Sequence, residues 1–566
     1  AVALAGLGVV IALQQAPTAT ARPGAGAFRV IWPTIGLLLA GVAAAVVYGV
    51  LTFFAGFYGR PNRRYGYRRY LEEAANPYLF VMILAVTLGT LDFVYGLVER
   101  FVEGTSLAMV ASGVVSGLWT FAKTGSEDAE DDSKIKIPVS VVASVGSILL
   151  LYGSLLGAYT LAVWAAEPYG RYVWIWLLGV VGMGLLVNTN YISIGRFYRD
   201  RLMETFMPPI DRALKDETGK ALGADKTPLS KMWRSGGDAR GPYHILNTNL
   251  VLVDSERRTW RTRGGDSFIL SPFYCGSTAT GWRRTEHFER NTMTLATAMA
   301  ISAAAANPNT GVGGKGLTRS KFVSLLMALL NLRLGSWVRN CDRKRTFPPN
   351  HFWPGGAYEL LGGFRETSKW LMLSDGGHFE NLALYEMIRR RLKLIVLLDS
   401  GADPDFNFAD LQNAMRRIDA DFGARLDFTS PEGGDEGSRE VGDTEKGPLR
   451  PLSYEREREE GHFPKYPGRA VRGWAHAKIK YQGWDEKNAD NSPFEGDLIY
   501  VKTTLVDGLS ITTEGYRDAN PDFPDQTTAD QFFDSEQFEA YRDLGYRIGK
   551  QAAGAIQQCL ASKAPA

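Results

Sequence analysis

The chain has 566 residues, a formal net charge of +2 and 45% hydrophobic residues. It is too long for one ordinary core and carries no whole-chain signature of a nucleic-acid binder. Three widely spaced cysteines, Cys275, Cys341 and Cys559, exclude a disulfide framework and a cysteine-based zinc site, and fit a reducing compartment.

The mean hydropathy of −0.12 hides a segregation of apolar residues towards the first third. Residues 2–13 are apolar but too short to cross a bilayer, which takes about 20 residues. With no basic residues before them and no initiator Met, they read as the stub of a truncated span. Uncharged stretches of spanning length follow at 30–59, 138–166 and 172–195, and a fourth, 74–98, is interrupted only by Asp92. The Gly/Ser/Ala-rich stretch 104–122 is less hydrophobic. Arg60, Arg63, Arg64, Arg68 and Arg69 mark one loop as cytoplasmic, and Arg196, Arg199 and Arg201 mark another. Placing both inside takes an even number of spans between them, which promotes 104–122 to a span. The expectation is a multi-pass region over 1–195, with five complete spans and the stub, in a bacterial inner membrane. Everything after it is then cytoplasmic. Asp92 and small residues such as Gly41 and Ala43 read as helix packing, so a transporter ranks low.

From about Arg196 the composition becomes that of an α/β protein, and 196–232 reads as a helical linker broken by Pro208 and Pro209. Expected elements are a strand at 244–254, helices at 292–306 and 322–334, a strand at 370–374, a helix at 381–392 and an apolar strand at 394–398. The last strand is of the buried, parallel type, so 370–398 reads as a crossover unit of an α/β sheet. Residues 429–450 form a charged, Gly-rich loop, expected to be mobile. Beyond it come strands at 476–481 and 497–504 and an amphipathic helix at 535–548.

The most pointed feature is Asp375-Gly376-Gly377. An aspartate at the carboxyl end of a parallel strand lies where α/β sheets build their sites. The two glycines allow positive φ and close backbone approach. Alone, such a triplet is also ordinary turn chemistry. Other features read as structural. Thr310–Gly316 fails the Walker pattern because Gly316 follows Lys315. Asp399, Asp403 and Asp405 have the wrong spacing for a calcium loop. His378 reads as a helix-start or packing residue, and Arg389–Arg391 as a helix end. His287, beside Trp282, Arg283 and Arg284, reads as a solvated loop or a headgroup contact.

The run LSDGGHFENLALYEMIRRRLKLIVLLDSGADPDF (373–406) resembles the C-terminal part of large bacterial multi-pass patatin-like phospholipases. So do GRFYRDRL (195–202), LATAMAISAAAANPNTG (295–311) and FPDQTTADQFFDSEQFEAYRDLGYRIG (523–549). The resemblance implies a lipid acyl hydrolase with a Ser–Asp dyad, no cofactor and no metal. Asp375 falls on the dyad aspartate, while Gly376 and Gly377 shape the site. The implied substrate is a membrane phospholipid or lysophospholipid at the lipid bilayer, with no nucleic acid as partner. The implied fold is an α-helical membrane region followed by a patatin-like, three-layer α/β half-domain over 233–428 and a small α+β extension over 451–566.

The sequence departs from that pattern in having no G-x-S-x-G and no Gly-rich oxyanion stretch. The expectation is therefore a fragment that holds the dyad aspartate without its serine and is inactive by itself. The alternative is a non-catalytic membrane scaffold or lipid-binding protein with the same fold.

Overall fold

The computed structural model describes residues 173–209, 221–233, 242–311, 330–343, 347–428, 468–481, 494–526 and 534–561, with isolated positions between 318 and 328 and at 449. The chain divides into two compact units, one up to Phe379 and one from Glu380 onward.

The expected membrane region, and with it the inner-membrane localisation, is corrected. Among the described residues no helix is long and apolar enough to cross a membrane. The candidate span 172–195 is split into helices α1 (Val173–Leu186), α2 (Thr189–Ile192) and α3 (Ile194–Phe206). At about 1.5 Å per residue, the 14 residues of α1 cover about 21 Å of the roughly 30 Å of hydrocarbon. What breaks the apolar run is a polar pair. Asn188 caps α2 by accepting from Asn190 N–H, and the Asn190 amide donates to the Trp337 carbonyl. Arg196 and Arg199 do not flank a span as orienting charges. Arg199 lies buried between Asp200 and Asp225, at 2.8 and 2.6 Å. The other four candidate spans, the 2–13 stub and, apart from position 449, the 429–450 loop lie outside the described residues, as does most of the expected helix 322–334.

The first unit is built on a six-stranded sheet. Its strands are β1 (Leu246–Val251), β2 (Gly265–Leu270), β3 (Tyr274–Ser277), β4 (Gly281–Arg284), β5 (Ser336–Arg339) and β6 (Trp370–Asp375), in the order β4-β3-β2-β1-β6-β5. Every pairing is antiparallel. The parallel strand direction of the expected half-domain is thereby corrected too. The cause of the misreading is visible in β1 and β6. Leu250, Leu371 and Leu373 join one core cluster, while Val251, Trp370 and Met372 join another on the opposite face. An interior strand covered on both faces carries apolar residues on both, as Trp370–Leu373 does, and periodicity does not tell it from a parallel strand. Helix α4 (Leu295–Ser302), capped by the Thr294 hydroxyl, buries Ala298 and Ile301 in the first cluster. Its Ala296 meets Met203 of α3, and Arg199 fastens the two helices by donating to Thr294 and Thr297. Helix α5 (Gly355–Leu361) adds Tyr358 to the second cluster.

The second unit holds a four-stranded mixed sheet of β7 (Leu394–Asp399), β8 (Ala424–Phe428), β9 (Trp474–Tyr481) and β10 (Glu495–Lys502), ordered β7-β10-β9-β8. Only β7 and β10 are parallel. Helix α6 (Leu384–Arg389) precedes β7, and α7 (Ala409–Phe422) follows it. The strand–helix–strand run 370–399 exists, but β6 and β7 belong to different sheets, so it is no crossover unit. Strand β7 buries Ile395 and Leu397 and exposes Val396 and Leu398. Helices α8 (Ile511–Ala519) and α9 (Ser535–Ala561) complete the unit, with Leu544 and Ile548 packing on Leu505, Val506 and Phe523.

Candidate functional site

Asp375 is the last residue of β6, with its backbone paired to Thr248 of β1. Its N–H donates to the Ala304 carbonyl just beyond α4, at 3.2 Å. The chain then turns through a 3-10 segment, Gly376–His378, capped by Asp375 Oδ1 accepting from Gly377 N–H at 2.7 Å. Asp375 is half-buried, and Oδ2 meets no donor among the described residues. Burial pushes its pKa above the ordinary aspartate range, and the Gly377 hydrogen bond offsets part of that rise.

Gly376 is required here for closeness, not for its φ. A Cβ on it would sit 2.7 Å from the Asn247 carbonyl oxygen, and neither Gly376 nor Gly377 has positive φ. The positive-φ expectation is corrected, and close approach of another backbone is found at Gly376.

Under the turn lies a buried polar chain. Asn249 Nδ2 donates to Ser374 Oγ at 3.2 Å, and Ser374 Oγ lies 3.1 Å from His378 Nδ1. Burial depresses the His378 pKa to about 4, so the ring is neutral at pH 7. A Ser–His contact of this length resembles a nucleophile with its base, but Ser374 has 0% exposure, which leaves no approach for a substrate carbonyl. The pair ties the turn to β1 and β6. Tyr198 of α3 completes the surroundings, its phenol pKa raised by burial first and by the Asp375 charge second.

Three of the stretches quoted for the resemblance, 195–202, 295–311 and the start of 373–406, therefore converge on Asp375. Tyr198, Asn249 and Ser374 were missed from sequence. The polar run Asn247-Thr248-Asn249 inside an otherwise apolar strand was the available signal.

The remaining candidates serve the framework. Asp399 is buried and accepts from Tyr500 O–H at 2.5 Å and Lys502 Nζ at 3.3 Å. Thr310 Oγ1 donates to the Asn307 carbonyl at 2.6 Å. Arg283 donates to the Cys341 and Arg343 carbonyls, while His287 is exposed beside Glu286. Arg389 and Arg390 both grip the buried Glu386. Among the described residues one group offers three metal-ligand atoms, His476, Asp497 and Cys559 in the second unit. Asp497 Oδ1 is already taken there by His476 Nε2 at 2.8 Å and by the Lys478 ammonium at 2.6 Å. A lysine on the carboxylate fills a cation's place and argues against a metal.

No protein-family model and no curated protein matches the chain.

Proposed function

We propose that the chain carries the base of a Ser–Asp acyl hydrolase that cleaves carboxylic esters of phospholipids or lysophospholipids, with Asp375 as that base. The observation that carries the reading is the Asp375 carboxylate itself. It is fixed through Oδ1, its Oδ2 meets no donor among the described residues, and its proton affinity is raised by burial. A base is most effective when its pKa approaches the working pH. In this mechanism Asp375 Oδ2 takes the proton of a serine hydroxyl as that oxygen attacks the ester carbonyl. The tetrahedral intermediate collapses, Asp375 returns the proton to the departing alcohol, and water then releases the acyl group by the same route. The sequence has no G-x-S-x-G, so the serine and the oxyanion donors come from outside these residues in this reading. Gly376 supports it by letting the turn lie against β1, and the lipid class rests on the resemblance of the quoted stretches.

The test is lipid and short-chain ester hydrolysis by the gene product as encoded, including any in-frame sequence ahead of residue 1, and by its Asp375→Asn variant. Asparagine keeps the shape and cannot accept the proton, so turnover should fall by several orders of magnitude with the fold intact. Near-normal turnover in Asp375→Asn would end the proposal. Hydrolysis by these 566 residues alone that survives the change would end it equally.

A further inference from the structure

The first unit contains a concavity that the hydrolase reading does not use. It encloses about 450 Å³ between α1–α3, the 3-10 segment Thr285–Asn291, α4 and β5, inside the range of small-molecule sites, roughly 300–1,000 Å³. Asp375 is not part of its wall.

The wall joins cations to an apolar surface. Arg196, Arg290 and Arg339 line it together with Tyr191, Trp337 and Trp370. Arg196 Nε and Arg339 Nε are buried donors with no hydrogen-bond partner among the described residues. The nearest acids to Arg196, Asp200 and Asp225, stand at 3.8 Å, beyond hydrogen-bond range, because Arg199 engages them more closely. A buried donor without an acceptor costs about 1–3 kcal/mol, so such donors call for a partner. The one acid of the wall is Glu289, which accepts from Arg339 N–H. Burial raises its pKa, while its hydrogen bond from Arg339 and the Arg339, Arg290 and Arg283 charges lower it; even ionised, one carboxylate offsets only one of the wall's arginines.

The backbone is specialised at the same place. Glu289, Arg290 and Asn291 have φ of 46°, 55° and 61°, a left-handed run with no glycine in it. Each such residue costs roughly 1–3 kcal/mol unless its surroundings hold it, and such strain gathers at ligand sites. The fasteners here are Arg339 N–H on Glu289 and Ser230 Oγ on Asn291, the latter at 2.6 Å.

We infer that this cavity binds an organic oxyanion, a carboxylate or phosphate head held by Arg196, Arg290 and Arg339 with an apolar body against Tyr191, Trp337 and Trp370. A guanidinium fork suits either head. The inference does not rest on the hydrolase reading.

Calorimetric titration of the purified chain at constant ionic strength tests it, with decanoate, decyl phosphate and inorganic phosphate as separate probes. At least one decyl compound should bind, more tightly than inorganic phosphate, and which of them does identifies the head. Arg339→Gln and Arg290→Gln should each weaken that binding about tenfold or more while circular dichroism and thermal midpoint show a folded protein. Asp375→Asn should leave it unchanged, which separates this site from the proposed catalytic one. Three results would overturn the inference: no binding by either decyl compound, equal binding of inorganic phosphate, or undiminished binding in both folded arginine variants.

Discussion

Gly376→Ala isolates the close approach of the turn to β1 from the chemistry of Asp375. The new Cβ would stand 2.7 Å from the Asn247 carbonyl oxygen and 3.2 Å from its carbon, where 3.4 Å begins ordinary contact. The two backbones must part by about 0.7 Å at the oxygen. Neither has room to yield. Strand β1 is paired on both sides, by β2 and β6, and the Asn247 carbonyl also accepts from Ser302 Oγ at 2.6 Å. Overpacking of this kind costs about 1–3 kcal/mol, and the double pairing places this case near 2 kcal/mol. A loss of that size lowers Tm by about 4–8 °C in a domain of about 150–250 residues, and by less in a larger unit such as this one, which runs up to Phe379. Urea unfolding followed through tryptophan emission, with calorimetry, gives both quantities. Gly182→Ala on α1 is the control. Nothing lies within 4 Å of its new Cβ, and helix propensity alone should stabilise it by up to about 1 kcal/mol. A Gly376→Ala midpoint within about 0.5 kcal/mol of the parent would refute the reasoning, since overpacking is the only cost it invokes.

Asp375→Asn should raise stability at neutral pH while it lowers turnover. A carboxyl whose folded pKa is raised contributes stability below its unfolded pKa and loses it as pH rises through the folded value, so the gain should vanish on acidification; a variant less stable than the parent at pH 7 contradicts this. His378 has the opposite sign. Its folded pKa of about 4 lies below the ordinary 6.5, so its contribution is complete above pH 6.5 and lost as pH falls towards 4, up to about 3 kcal/mol. A His378 imidazole resonance titrating near 6.5 in the folded protein, assigned by its loss in His378→Gln, would exclude that. Ser374→Ala strands Asn249 Nδ2 and His378 Nδ1 and should cost about 1–3 kcal/mol in urea unfolding; a cost below about 0.5 kcal/mol would mean that the chain under the turn is not stabilising.

The strand carrying Asp375 and the glycine turn were legible because local chemistry fixes them, through an apolar run ended by an acid that caps its own turn. The same holds for α4, which begins at a threonine cap where the sequence changes period. What local pattern does not encode is the identity of a strand's neighbour. Trp370–Asp375 reads the same whether its partners run parallel or antiparallel, so the sheet direction and the assignment of β6 and β7 to one sheet were lost together. The membrane reading failed over 172–195 for a related reason. Hydropathy averages Asn188 and Asn190 into their apolar surroundings, although the Asn188 side chain caps the second helix and the Asn190 amide ties it to the Trp337 carbonyl. Tyr198 lay beyond reach because only the fold brings α3 to the end of β6.

Strand β7 pairs with β10 alone among the described strands and carries five consecutive apolar residues, Leu394 to Leu398. In a chain still emerging or refolding, such a segment is a template for self-association, and copies stacked in register would form an uninterrupted β-zipper. The sequence brackets it with charge. Arg389, Arg390, Arg391 and Lys393 come before it and Asp399 after it. Aligned copies would superimpose four cations on four cations within a few residues of the sticky core, which opposes stacking as gatekeeper residues do. Two of those arginines hold Glu386 once α6 has formed. Before that, the same guanidinium groups keep neighbouring chains apart.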